Sequence, residues 1–193
     1  MAKRNFISNQ VFVGLPWRNV RPKYDRCISR LHDEFPIYFT IVGKDDGQDA
    51  LNLFQIIKDR ISSSSYAIFD ATGGNANVSL EYGYAEGIGV DKALFLSDHK
   101  ATKRGASSTI ISDLHGQRRV QYKTEKALLG ELQKLARTHP YTTRFEAALS
   151  VIYKRQTGHA KRSGRRLAIA IVRSLDSKGE ARRSDVIQDV QAR

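Results

Sequence analysis

Two carboxylates, Asp70 and Glu81, stand in the stretch Phe69-Asp70-Ala71-Thr72-Gly73-Gly74-Asn75-Ala76-Asn77-Val78-Ser79-Leu80-Glu81-Tyr82-Gly83-Tyr84-Ala85. Acids so placed suit work on a sugar-like or nucleotide-like ligand. Departure of a base from ribose builds oxocarbenium character at C1, and a close carboxylate can attack that carbon or steady its charge. Glu81 could do this. Asp70 could hold a ribose hydroxyl or exchange a proton with the leaving base. Plainer readings stand beside these: Glu81 as an acid complementing a helix dipole, Asp70 as a turn or cap acid. The helical period puts Asn77 and Glu81 on one face, with Tyr84 close to it. Glu81 is then partly buried among Leu80, Tyr82 and Tyr84. Burial raises a carboxylate's pKa and a helix N-terminus lowers it, and the sequence leaves the winner open.

The elements that must position these acids alternate. Strand-like runs cover 10–14, 37–42, 66–69, 92–96 and 119–122. Helical spacing recurs through Tyr24, Cys27, Ile28 and Leu31, and again through Leu51, Phe54, Ile57 and Ile61. It returns over 78–88, and from a Thr124 cap to about Arg137. Ser62 to Ser65 break the second helix. Such alternation predicts an α/β fold: a doubly wound, flavodoxin-like parallel sheet of about five strands in the order 2-1-3-4-5. That order brings Gly14-Leu15-Pro16-Trp17 beside Asp70 to Asn77, so both acids would line one crevice. Asp98 to Gly116 reads as a long loop, either a flap over the site or a plain surface excursion.

His139-Pro140 closes the alternating region and sets expected units of 1–142 and 143–193. The second is a helical extension: a helix over 144–153, a basic linker over 156–166, and a helix over 167–175. A turn at 177–179 and a helix over 183–190 follow. The last two helices read as half of a helix-turn-helix or as a packing or oligomerisation arm. Of the net charge of +12, residues 143–193 carry 12 Lys or Arg against 5 Asp or Glu. Lys161, Arg162, Arg165 and Arg166, with Arg182 and Arg183, form a candidate phosphate-gripping surface for nucleic acid. A solvated basic face is the plainer alternative.

A resemblance adds to this. Asn77-Val78-Ser79-Leu80-Glu81-Tyr82-Gly83-Tyr84-Ala85-Glu86-Gly87-Ile88-Gly89 resembles the motif of the nucleoside 2-deoxyribosyltransferase family and the related TIR-like nucleotide-processing domains. Val11-Phe12-Val13-Gly14-Leu15-Pro16 is similar to that family's first strand and Gly-containing ligand loop. The resemblance spans residues 10–137 and is concentrated in these two motifs. It implies Glu81 as nucleophile, and ligand-binding roles for Asp70, Asn77 and Gly14. It also implies a homo-oligomer. Leu15, Pro16, Trp17, Arg18, Gly73, Asn75 and Tyr84 complete the expected lining of the crevice. The loop Thr72-Gly73-Gly74-Asn75-Ala76 departs from the pattern in lacking a second acid near Asn77. Arg18, Arg21 and Lys23 are more basic than a neutral nucleoside requires and suit a phosphate. The expected ligand is therefore a nucleotide, NAD or a (deoxy)nucleoside monophosphate. The alternatives are a non-catalytic nucleotide sensor and a basic nucleic-acid-binding protein.

Other site types fit poorly. There is no Gly-x-x-x-x-Gly-Lys-Ser/Thr, and no Gly-x-Gly-x-x-Gly after the first strand. The five histidines and one cysteine lack metal-ligand spacing, so no metal and no cofactor are expected. Cys27 cannot form an internal disulfide, which fits a reducing cytoplasm. No apolar run approaches the roughly 20 residues of a membrane span, and no secretory leader is expected.

Overall fold

The computed structural model describes residues 6–17, 20–43, 50–97, 119–154 and 158–178. Five strands form its sheet: β1 (Ile7–Gly14), β2 (Tyr38–Thr40), β3 (Ser64–Asp70), β4 (Lys92–Ser97) and β5 (Arg119–Tyr122). Six helices accompany them: α1 (Arg21–Leu31), α2 (Ala50–Ser63), α3 (Ala76–Gly87), α4 (Glu125–Thr138), α5 (Pro140–Ile152) and α6 (Gly158–Lys178). All strand pairs are parallel and the order is β2-β1-β3-β4-β5. The doubly wound α/β fold expected from the alternation is the fold observed.

Residues along the central strands are buried on both faces, as a covered parallel sheet requires. Val11, Val13 and Ile68 face one core with Tyr24 of α1 and Leu128 of α4. Phe12, Ala67 and Phe69 face the other with Ile61 of α2 and Val78 and Tyr82 of α3. The period of two that separates these sets decides where each acid points. The connections leave β1 toward β2 on one side and β3 on the other. The switch point therefore lies between the carboxyl ends of β1 and β3. Gly14 and Phe69 are in register there.

The C-terminal region differs from expectation. Helix α5 begins at Pro140, not Arg144, because His139 caps it: Nδ1 accepts the Tyr141 N–H at 3.2 Å. Proline at the first position needs no amide partner. The expected boundary after residue 142 thus falls inside α5. The expected linker over 156–166 is helical from Gly158, and α6 is one helix of 21 residues. Ala160, Lys161, Arg162, Arg165 and Arg166 are good helix formers, and the glycine that suggested a break serves packing instead. A Cβ at Gly164 would lie 2.7 Å from the Tyr153 ring. Arg165 holds α6 to Glu146 at 2.6 Å and to the Glu34 carbonyl at 2.7 Å. Arg173 is buried and donates to the carbonyls of Phe35 and Ile37. The expected loop over 98–116 lies outside the described residues, as does the helix over 183–190. Among the described residues no helix is long and apolar enough to cross a membrane.

Candidate functional site

The loop after β3 is tied at both ends. Asp70 Oδ1 accepts the Thr72 N–H at 2.9 Å, and Thr72 Oγ1 accepts the Ser97 N–H at 2.8 Å. Gly73 and Gly74 take φ of 79° and 65°, values that favour glycine. Asn75 then caps α3, its Oδ1 accepting from Asn77 N at 2.9 Å and Val78 N at 3.4 Å. These contacts fix the start and direction of α3 and so the place of Glu81.

Glu81 is 9% exposed. Its Oε2 is buried and has no hydrogen-bond partner among the described residues. That oxygen lies against Gly14. A Cβ at Gly14 would collide with it and would lie 2.8 Å from Phe69 Cδ1. Glycine at the end of β1 is therefore what lets the carboxylate settle over the switch point. Burial drives the Glu81 carboxyl up to about 7. Near neutral pH both charge states are accessible. A carboxylate poised this way can serve as nucleophile, electrostatic stabiliser or proton carrier.

Asp70 is placed differently from expectation. It is fully buried. Its Oδ2 accepts from the Tyr24 hydroxyl at 2.9 Å and the Tyr122 hydroxyl at 2.6 Å. Burial raises its pKa, while the bonds from Thr72, Tyr122 and Tyr24 pull the other way. Burial also pushes both tyrosine hydroxyls up, helped by the negative charge of Asp70. Neighbouring Phe69 points to the opposite face, where its ring meets Tyr82 at 5.5 Å between centroids. The two acids therefore lie on opposite faces of the sheet and do not share a hollow.

The remaining expected site residues divide. Gly14 touches Glu81. Leu15 is buried in the core with Val13 and Tyr24. Pro16 and Trp17 are half-buried just beyond β1. Arg21 lies 5.4 Å from the Trp17 ring centroid and 3.6 Å from Asp25. Arg18 lies outside the described residues. Gly73 and Asn77 are exposed, Asn75 is committed to its cap, and Tyr84 is half-buried against the α2–α3 core. Leu80, expected beside the Glu81 carboxylate, is 57% exposed. In the basic segment Lys161, Arg162 and Arg166 are exposed, whereas Arg165 is held by Glu146. Among the described residues no group of three or more His, Cys, Asp or Glu could hold a metal ion.

Sequence reasoning missed the roles of Tyr24 and Tyr122. Both carry strand or helix periodicity, so each reads as plain core, and the topology alone brings their hydroxyls together at Asp70.

The strand order and parallel pairing define the architectural class, a doubly wound sheet with a carboxylate at its switch point. No family model matches the chain, and no curated protein matches it in sequence. Among solved structures it is similar to a 2-desoxiribosyltransferase from Leishmania mexicana, at 17% identity and a TM-score of 0.42. That match covers 47% of this chain and 65% of the transferase, less than two thirds of its length. It is also similar to the TIR domains of the activated Roq1 resistosome that recognises the effector XopQ, at 15% identity and a TM-score of 0.39 over 96% of each chain. Both likenesses are of fold.

Proposed function

We propose that this protein cleaves or transfers the N-glycosidic bond of a nucleotide, with Glu81 acting at the sugar C1. The observation that carries this reading is the buried, unpartnered Oε2 of Glu81 against Gly14, at the point where open α/β sheets take their ligands. In its ionised form Glu81 attacks C1. The C1–N bond breaks and the base leaves with the bonding pair, nicotinamide departing neutral and a purine or pyrimidine taking a proton from water. Water or an acceptor hydroxyl then attacks C1, releasing its proton to solvent, and the Glu81 carboxylate departs. Asp70 takes no part in these bonds on this reading. It is a positioning residue, fixing the loop through Thr72.

A phosphorylated ligand, NAD or a (deoxy)nucleoside monophosphate, fits the first turn of α1. Arg21 and Lys23 stand there, no acid does, and the Val20 cap position makes no side-chain bond. Cations at a helix start favour an anion. We assign this chemistry to the sheet and the helices through α4, and treat the region from α5 onward as a basic extension. The buried free thiol of Cys27 suits the cytoplasm.

The test is chromatographic. NAD and the nucleoside and deoxynucleoside monophosphates are incubated with the protein and assayed for free base. Release by the intact protein, abolished in Glu81→Gln with ligand binding retained, is expected. No release from any of them, or unchanged release by the variant, overturns the reading.

A further inference from the structure

The opposite edge of the sheet carries a second concavity. A groove of about 410 Å³ is lined by Phe6, Ser8, Tyr141, Arg144 and Phe145. It joins the start of β1 to the first turns of α5. Six strand steps separate Ser8 from Gly14, about 20 Å at the usual rise, so this groove is distinct from the Glu81 site. Its volume falls in the range of small-molecule sites.

Its chemistry is specific. Three aromatic rings and one guanidinium surround it, and among the described residues no carboxylate lines it. Phe6 is 61% exposed and lines the groove. Arg144 is exposed and makes no ion pair among the described residues. Glu146, the nearest acid on α5, is occupied by Arg165. The charge of Arg144 is felt locally, since it joins burial in depressing the pKa of His139. Aromatic faces offer sequence-tolerant stacking to a base, and an uncompensated arginine offers a charge-assisted contact to the phosphate beside it. A chain of net charge +12 draws polyanions to any such surface.

From this geometry we infer that the groove of Phe6, Tyr141, Arg144 and Phe145 is a second binding site, which stacks a nucleobase and contacts its phosphate. The base and phosphate belong either to a free nucleotide or to a single strand. The inference is independent of any chemistry at Glu81.

Two probes test it: AMP by calorimetry and a fluorescent eight-residue oligothymidylate by anisotropy. Phe6→Ala and Arg144→Gln are the variants, because both side chains are exposed and neither holds the core. For whichever probe binds, Phe6→Ala should weaken affinity about tenfold. Arg144→Gln should weaken it and lower the log–log salt slope by about one. Glu81→Gln should leave the affinity of the groove for either probe unchanged. Tight binding of the oligonucleotide with weak AMP binding identifies a strand as the source, and comparable affinities identify a free nucleotide. Binding of neither probe overturns the inference. So does affinity within twofold of the parent in both groove variants, or loss confined to Glu81→Gln.

Discussion

Asp70 and Glu81 are buried carboxylates on one strand–loop–helix unit, and the protein treats them in opposite ways. Asp70 faces α1 and β5, and three donors from three elements converge on it. Glu81 faces the end of β1, and one of its oxygens has no hydrogen-bond partner among the described residues. A fully satisfied buried acid joins elements together and specifies the packing around it. An acid whose desolvation goes uncompensated is held in a higher-energy state, and such states collect at functional sites. On the proposed reading Asp70 is the structural acid and Glu81 the reactive one.

The largest expected effect breaks or confirms that contrast directly. Glu81→Gln should lower base release by about 10³-fold or more, as loss of a nucleophile does. The same change should stabilise the fold above neutral pH. The folded-state pKa of Glu81 is raised from 4.5 to about 7. Between those values the unfolded chain has released its proton and the folded chain has not, so stability falls as pH rises across the window. The full fall is about 3 kcal/mol. Denaturant titrations at pH 4.5 and 8 should show it in the parent and not in Glu81→Gln. In the assay, rate should climb with pH through about 7 if the ionised form attacks C1.

Asp70→Ala should do the reverse. Two buried phenol hydroxyls and the Thr72 amide lose their acceptor, a cost of about 2–4 kcal/mol. Thermal melts should drop by roughly 6–12 °C for a chain of this size. Activity measured well below the new midpoint should fall modestly, through loop disorder, with its pH profile unmoved. A shifted pH profile would place Asp70 in the chemistry after all. Gly14→Ala probes the seam between the two acids. The added methyl group must displace the Glu81 carboxylate or the Phe69 ring, which costs about 1–3 kcal/mol by overpacking. Base release should suffer more than stability does.

Much of this contrast was legible in the residues, and the illegible part has a physical cause. Apolar runs located all five strands and period-3.6 patterns the first four helices, because burial on a covered sheet writes itself into the residues. The loop from Asp70 to Asn75 and the place of Glu81 on α3 were also visible. Which face each acid takes was not. That depends on the register of Phe69 with Gly14, a long-range fact that no local window contains. Tyr24 illustrates the limit: its ring obeys helical periodicity, and its hydroxyl finds Asp70 only after the sheet has formed. Around Gly158 and Gly164 a local rule misled. Glycine lowers helix propensity, yet α6 continues because Arg165 and Arg173 anchor it across the fold.

His139, at the far edge of the sheet, sharpens the comparison from a third buried titratable group. Both its ring nitrogens are used. Nδ1 accepts the Tyr141 amide, so Nε2 carries the proton and donates to Ser65 Oγ at 3.1 Å, and Ser65 donates to the Gln10 carbonyl at 2.8 Å. By the logic that separates Asp70 from Glu81, this histidine is structural. Burial, with the charge of Arg144, holds its pKa below 6.5. Its contribution is therefore fully present above the unfolded value and fades as pH falls below it, because protonation removes the acceptor that caps α5. His139→Ala should cost about 1 kcal/mol at pH 8, the usual worth of an N-cap, and should flatten the acid side of the stability curve between pH 6.5 and 5. An unchanged slope in that interval would show that the cap tolerates a charged ring, and satisfaction of a buried group would then no longer predict its role.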